Sequence, residues 1–137
     1  MVKDKLTDGD YQRLLEFRTG LRRFLHWSEE QAGAVGLTPA QHQLLLAIRG
    51  HDGPEAPTVG DVAEHLLLRH HSAVELVDRA AEAGLVRRLA DAGDGRLVRL
   101  ELTTRGRDLL ERLSAAHLEE LARLAPIVQR LASGLSV

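Results

Sequence analysis

The sequence predicts a mainly α-helical protein that carries one small β-hairpin. Apolar residues recur at steps of three and four over most of the chain, which is typical of amphipathic helices. The period changes once, between residues 85 and 103, where apolar and polar residues alternate as they do in strands. No low-complexity tract or long linker divides the chain, so residues 1–137 are expected to form a single domain.

The first two helices follow from apolar spacing and from end signals. A stripe of apolar residues predicts a helix from Asp10 to about Gln31, which ends in the stretch "GAVG". In the next segment, "LTPAQHQLLLAIRG", Thr38 is a suitable N-cap and Pro39 suits the first helical position. This segment therefore predicts a second helix.

Two shorter helices and a turn come next. Thr58 caps a predicted third helix over residues 59–68, and a break is expected near Leu68–Arg69. A fourth helix is predicted from Ser72 to Ala83, and Gly84 fits a left-handed C-cap. Two helices joined by a short turn form a helix-turn-helix.

A β-hairpin is predicted after the fourth helix. The runs "LVRRLA" and "RLVRLELT" alternate in the manner of strands, and the turn-rich stretch "DAGDG" lies between them. The order of helix, short helix, turn, helix and hairpin is that of a winged helix-turn-helix, predicted here over residues 38–102.

The two terminal helices carry long apolar stripes. Thr103 or Thr104 caps the last helix, and Pro126 is expected to kink it or to break it in two. Its apolar positions are spaced nearly as heptads: Leu110, Leu113, Leu121, Leu124, Val128, Leu131 and Leu135. These stripes are too wide for one small domain to cover, so residues 10–34 and 104–137 are expected to be dimerisation helices.

The start of the fourth helix is the predicted DNA-reading element. In a helix-turn-helix, the N-terminal residues of the second helix lie nearest the base edges in the major groove, and the helix N-terminus attracts phosphate. The candidate residues at this end are Arg69, His70, His71 and Ser72. Arg96, at the hairpin tip, is placed to enter a flanking minor groove. The alternative is that the two histidines are solvated residues that only close the turn.

Charge is distributed unevenly, although the formal net charge is −2. Residues 85–107 contain six arginines against three acidic residues, whereas residues 1–68 contain seven basic against ten acidic residues. Nucleic-acid binding needs a local cationic surface rather than a basic whole. Arg87 and Arg88 are consecutive on a strand, so at most one is expected to face DNA. The alternative is that these arginines only solvate the surface.

Several motifs, taken in order, resemble the MarR (multiple antibiotic resistance regulator) family of bacterial transcription factors. The densest matches are Val77-Asp78-Arg79, Gly84-Leu85-Val86, Asp94-x-Arg96 and Leu102-Thr103-x-x-Gly106. The similarity extends over nearly the whole chain. It implies a homodimer that places two winged helices on a pseudo-palindromic site in double-stranded DNA. It also implies release from DNA by a small aromatic or phenolic ligand.

The resemblance implies that Arg96 reaches the minor groove while Asp94 fixes its orientation. Arg79 either reaches phosphate or braces the hairpin by pairing with an acid such as Asp94, and both alternatives stay open. Two positions depart from the family pattern: Glu75 and Gly95 stand where family members often carry a basic or polar residue. Both departures predict a modest and strongly salt-dependent affinity for DNA.

Trp27 and His42 are the candidate ligand-binding residues, since the resemblance implies a ligand site built from the first two helices. An aromatic wall and an imidazole donor suit a phenolate or a carboxylate. The alternative is ordinary packing between the lobes. His117, on the apolar seam of the last helix, is expected to be half-buried at the dimer interface with one hydrogen-bond partner.

Other classes of protein are disfavoured. The chain has no cysteine, and no two histidines have the i, i+4 spacing of a helical zinc motif, so no metal or cofactor is expected. No nucleophile–base arrangement or phosphate-binding glycine loop indicates an enzyme. No long apolar run or apolar leader is present, so a cytoplasmic protein without a membrane span is expected. The alternative function is a winged-helix module that binds protein without sequence-specific DNA binding, which Glu75 and the low overall charge favour.

Overall fold

The computed structural model describes residues 5–133. This part of the chain contains five helices and one two-stranded antiparallel sheet: α1 (Asp8–Ala34), α2 (Pro39–Gly50), α3 (Val59–Leu66), α4 (His70–Glu82), β1 (Val86–Ala90), β2 (Val98–Leu102) and α5 (Thr104–Ser133). The predicted class, mainly α-helical with a β-hairpin wing, is confirmed. None of these described helices is both long and apolar enough to cross a membrane.

Reciprocal hydrogen bonds start the first three helices. The Thr38 hydroxyl accepts from the Gln41 amide, and the Gln41 side chain accepts from the Thr38 amide. Thr58 and Asp61 form the same capping box at the start of α3. A box at Thr7 also starts α1 two residues earlier than predicted. Both predicted N-caps are confirmed, because each side chain satisfies an amide that has no partner within its own helix.

The turn between α3 and α4 differs from its prediction by two residues at each end. Helix α3 ends at Leu66, because Leu67 adopts the left-handed conformation at φ 55° and ψ 42°. Helix α4 begins at His70 rather than at Ser72, since the carbonyl of Arg69 already accepts from the Ala73 amide. The candidate residues therefore occupy the N-cap and the first turn of α4.

Helix α2 lies at the centre of the core and contacts α1, α3, α4, α5 and β2. Leu44 and Leu45 on α2 are fully buried, as are Val62 on α3, Val77 on α4 and Leu100 on β2. Because these side chains come from four different elements, one apolar cluster fixes the relative positions of the helix-turn-helix and the hairpin.

The hairpin is anchored at its base to the ends of α4 and α5. Its register pairs Val86 with Leu102 and Ala90 with Val98. Gly84 adopts the predicted left-handed conformation at φ 73°. Thr103 donates its hydroxyl proton to the Gly84 carbonyl over 2.6 Å, and the same oxygen accepts from the Gly106 amide. Of the two predicted caps, Thr103 therefore caps α5, and the wing is held where the chain enters and leaves it.

Helix α5 is continuous from Thr104 to Ser133, so of the kink or break predicted at Pro126 the break is wrong. The reason is exposure: residues 121–123 and 125–130 are exposed, so a carbonyl that loses its helical donor can bind water instead. Helices α1 and α5 contact each other, and many of their apolar side chains remain exposed. The predicted apolar position Leu135 lies outside the described residues.

Gly106 is predicted to be essential for packing the start of α5 against the hairpin. A Cβ at this position would lie well under 3.0 Å from the Leu85 carbonyl oxygen, a separation that real Cβ atoms do not show. Because backbone must then move, Gly106→Ala should lower the free energy of unfolding by about 1–3 kcal/mol, measured by chemical denaturation. Gly95→Ala is the control, since nothing lies within 4 Å of its Cβ position. Equal stability of both variants would contradict this close packing.

Candidate nucleic-acid interface

The outer face of α4 is polar and its inner face is apolar. Ala73, Val77 and Ala80 are buried on the inner face. On the outer side, Arg69, His70, His71, Glu75 and Arg79 are exposed, and Ser72 is half-buried. The N-cap residue of α4, Arg69, makes no side-chain cap hydrogen bond in the described chain. First-turn amides of this helix are therefore left available to an anionic group such as phosphate.

A groove runs between the start of α4 and the hairpin. His70 and Val74 line it from α4, and Arg88, Arg96 and Val98 line it from the hairpin. The structure thus brings together two of the predicted DNA-contact residues, His70 and Arg96. His71, Ser72 and Arg79 do not line this groove, although they belong to the same helix.

The tip of the wing is organised by two aspartates. Asp91 accepts from the backbone amides of Gly93 and Asp94 over 3.0 and 2.8 Å. Asp94 in turn accepts from the backbone amide of Arg96 over 2.9 Å and from its Nε over 3.3 Å. The Arg96 side chain is 92% exposed beyond this carboxylate. The aspartate therefore orients a guanidinium whose remaining nitrogens point to solvent.

Arg99 anchors the wing, and sequence reasoning did not single it out. Its guanidinium contacts the Glu55 and Asp91 carboxylates, each over 2.6 Å, and donates to the Ala56 carbonyl over 2.7 Å. Together with the hydrogen bond to Arg99, the Asp94 and Gly93 amides hold the pKa of the Asp91 carboxyl below its ordinary value. These bonds join the tip of the hairpin to the loop that precedes α3.

The two consecutive arginines of β1 have different partners. Arg88 lines the groove and forms an ion pair with Asp78 of α4, while Arg87 pairs with Glu101 across the hairpin over 3.3 Å. Only Arg88 of the two lines the groove, and the expectation that at most one of them faces DNA stays a prediction. Within residues 5–133, no ion pair involves Arg79, so the brace to Asp94 that the sequence left open does not form.

A second cluster lies where α1, α2 and α5 meet. His117 of α5 hydrogen-bonds the Ser28 hydroxyl over 2.6 Å and the Leu113 carbonyl over 2.7 Å. The ring centroids of Trp27 and His42 lie 4.8 and 4.9 Å from that of His117. The expectation of a single partner for His117 is wrong, because this ring uses both nitrogens within its own chain. His117 brings the two candidate ligand-binding residues into one cluster.

Hydrogen bonding and burial determine where the protons of the two histidines in this cluster lie. A carbonyl can only accept, so the proton of neutral His117 lies on Nδ1, and Nε2 accepts from Ser28. His42 is only 4% exposed. Burial lowers the pKa of the His42 imidazole, and the neighbouring His117 lowers it further. His42 is therefore held neutral at pH 7 beside the imidazole of His117.

Comparison with known proteins points to one family. A model of the MarR family matches residues 35–97. The HTH-type transcriptional regulator PecS of Dickeya dadantii (strain 3937) is 28% identical over 83 residues, which are 61% of this chain and 50% of PecS. The chain thus matches about half the length of this relative.

Solved structures show the same fold over almost the entire chain. The crystal structure of a MarR family transcription regulator has a TM-score of 0.76 at 22% identity, over 93% of this chain and 84% of that one. A MarR family protein from Bacillus stearothermophilus has a TM-score of 0.75 at 21% identity, over 96% of both chains. A mutant of S. aureus MepR bound to an oligodeoxyribonucleotide has a TM-score of 0.70 at 21% identity, over 96% of this chain and 100% of that one.

The fold and its site therefore define a winged helix-turn-helix protein with the fold of MarR family transcription regulators. The resemblance predicted from the sequence is confirmed, because a model of the MarR family matches the winged-helix segment of this chain.

The buried imidazole predicts a pH dependence of stability. Because the folded state lowers the pKa of His42 from 6.5, the unfolded chain binds a proton more readily below that pH. The free energy of unfolding should fall as the pH drops below about 6.5, by at most about 1.4 kcal/mol per pH unit for this group. Chemical denaturation of the wild type between pH 7.5 and 5.5 measures this slope.

His42→Gln removes the titrating group and should reduce that slope, whatever its effect on stability at pH 7.5. The exposed His26, which pairs with Glu30 on α1, provides the control variant His26→Gln. If His42→Gln kept the slope of the wild type, the buried imidazole would not be its source.

Proposed function

We propose that this protein is a homodimeric, cytoplasmic repressor of transcription that binds double-stranded DNA, and that a small ligand releases it. The observation that carries the proposal is the groove between α4 and the wing. It combines His70, next to a helix N-terminus without a side-chain cap, with the exposed guanidinium of Arg96. In a winged helix, such an arrangement suits phosphates and major-groove edges at α4 and an adjacent minor groove at the wing tip.

Roles for the individual residues follow from where they lie. His70, His71 and Ser72 are on the first turn of α4, where they would contact base edges or phosphate, and Arg69 immediately precedes them. Arg79 lies farther along the exposed face, where a phosphate contact is the role that remains. Asp94 would hold Arg96 in the orientation that enters the minor groove of DNA. The oligodeoxyribonucleotide bound to the MepR neighbour is consistent with this surface being used for DNA.

The dimer is proposed from the apolar surface of the terminal helices. An open groove between α1 and α5 is lined by Phe17, Leu21, Leu121, Ile127 and Val128, each of which is at least 40% exposed. Exposed apolar area of this extent is a liability in a lone chain. A second copy that packs on the same face covers it symmetrically and sets two α4 helices at a fixed spacing. Two reading helices need a separation of about 34 Å, one turn of DNA.

Release by a ligand is proposed at the cluster of Trp27, His42 and His117. This cluster joins α1 and α5, the proposed dimerisation helices, to α2 in the centre of the DNA-binding lobe. A small aromatic anion that replaces the ring contacts would change the angle between the lobes. It would then lower DNA affinity by the difference between its affinities for the two arrangements.

The second candidate is a winged-helix module that binds protein. It is favoured by Glu75, which is exposed on the same helix as the candidate contacts. A salt titration separates the two functions, because each phosphate contact releases counterions and DNA affinity then falls steeply with added salt. Selection of bound duplexes from a random pool would add half-site symmetry and spacing. Recovery of no preferred duplex at low salt would favour the protein-binding module.

Arg96→Ala is expected to weaken DNA binding by about 1–3 kcal/mol, the range for one useful groove contact. The selected duplex and a fluorescence-anisotropy titration at fixed salt provide the measurement. Arg112→Ala, which removes an equal charge from an exposed position of α5, should leave the affinity nearly unchanged. Equal losses in both variants would mean that only the total charge matters, and the groove contact would be refuted.

Ile127→Asp and Val128→Asp are expected to dissociate the dimer, because each places a carboxylate in the apolar groove. Sedimentation equilibrium at micromolar concentration measures the shift from dimer to monomer. Ala115→Asp adds the same charge at an exposed position of α5 outside the groove and should stay dimeric. A dimer that survives both groove substitutions would place the interface elsewhere.

A further inference from the structure

Two histidines outside the proposed DNA and ligand sites face each other through their ring nitrogens. His51 is the C-cap of α2, and His65 lies in the last turn of α3. Nδ1 of His51 and Nε2 of His65 are 3.1 Å apart, and the ring planes are inclined by 79°. Only one of these nitrogens can carry the proton of that hydrogen bond, so at least one lone pair points into the space between the rings.

A carboxylate lies at the far side of the His51 ring. Asp61 Oδ2 is 3.8 Å from His51 Nε2, and the side chain of His51 is only 15% exposed. A negative charge there favours the tautomer of His51 that keeps its proton on Nε2 and leaves Nδ1 free to bind. A carboxylate behind a histidine is the usual outer partner of a metal-bound imidazole.

The loop between α2 and α3 leaves room for this ring. A Cβ at position 53 would lie 2.5 Å from His51 Nε2, so the glycine at that position allows the ring to lie against the loop. His51 is thus held by its surroundings, while His65 is exposed and can adjust. One fixed and one movable ligand can close on an ion without rearranging the backbone.

We propose that His51 and His65 bind one divalent transition-metal ion, of the class that prefers imidazole, with Asp61 orienting His51. Two nitrogens bound to one Zn²⁺ at about 2.0–2.1 Å, at an angle of about 100–110°, lie about 3.1–3.4 Å apart. The observed 3.1 Å separation falls in this range. Imidazole ligands select Zn²⁺, Ni²⁺ and Cu²⁺ over Mg²⁺ and Ca²⁺.

The site has two protein ligands, so water completes the coordination. Among residues 5–133, no group of three or more histidine, aspartate or glutamate side chains is arranged to hold a metal ion. Binding is therefore weaker than at a structural zinc site with four protein ligands. Its consequence is local, since the ion would join the end of α2 to α3, the first helix of the helix-turn-helix.

The test titrates the chelator-treated 137-residue chain with ZnCl₂ or NiCl₂ alone, by calorimetry in a non-coordinating buffer. One ion per chain is expected, together with a rise in the melting temperature that depends on metal concentration. His51→Gln and His65→Gln should each weaken this binding at least about tenfold. The controls His26→Gln and His71→Gln remove exposed histidines on other helices and should keep it.

Asp61 requires a matched pair of variants, because it also caps α3. Asp61→Asn should weaken metal binding about 10- to 100-fold. Thr58→Ala removes the other half of the capping box and should lower stability while keeping metal affinity. The proposal is overturned if His51→Gln and His65→Gln bind as the wild type does, or if MgCl₂ competes equally. If Asp61→Asn and Thr58→Ala lost metal affinity equally, the proposed role of Asp61 in orienting His51 would be refuted.

Discussion

Burial of α2 is the constraint on which the rest of the structure depends. Leu44 and Leu45 are fully covered by side chains from the other elements of the core. The helix-turn-helix and the hairpin are both attached to this cluster, through Val77 and Leu100 among others. The apolar faces of α4 and β2 are buried in the core. Their polar faces are therefore exposed on the same side of the molecule. The groove between them therefore results from apolar packing, and its positive charge comes from Arg88 and Arg96, which line it.

Polar interactions then orient the parts that packing leaves free. None of residues 91–97 is buried, and the shape of the wing tip depends on hydrogen bonds of Asp91, Asp94 and Arg99. Arg99 joins the tip to the loop before α3, so the exposed Arg96 projects from a braced turn. A side-chain cation that is already oriented loses less conformational freedom on binding than a mobile one. The hydrogen bond from Arg96 to Asp94 can therefore raise the affinity of Arg96 for an anionic ligand.

The cluster at the junction of α1, α2 and α5 contains one histidine with both ring nitrogens hydrogen-bonded and one buried histidine that is held neutral. His117 is satisfied by Ser28 and by the Leu113 carbonyl, whereas His42 is buried beside it and is held neutral. A buried imidazole is sensitive to any anion or proton that enters. The same cluster joins α1 and α5, many of whose apolar side chains are exposed, to α2 at the centre of the core.

The sequence by itself determined the order and type of the elements, the caps at Thr38 and Thr58, and the family resemblance, because periodicity and capping are local properties. The exposure of Arg96 and its pairing with Asp94 also follow from neighbouring residues. Only the tertiary structure decided the contacts of Arg99 with Glu55 and of His117 with Ser28, and the meeting of His51 with His65. Those contacts join residues far apart in the chain, and their geometry depends on how helices pack rather than on any local pattern. The continuity of α5 through Pro126 also depends on the tertiary structure, because the packing of the chain leaves that turn exposed to solvent.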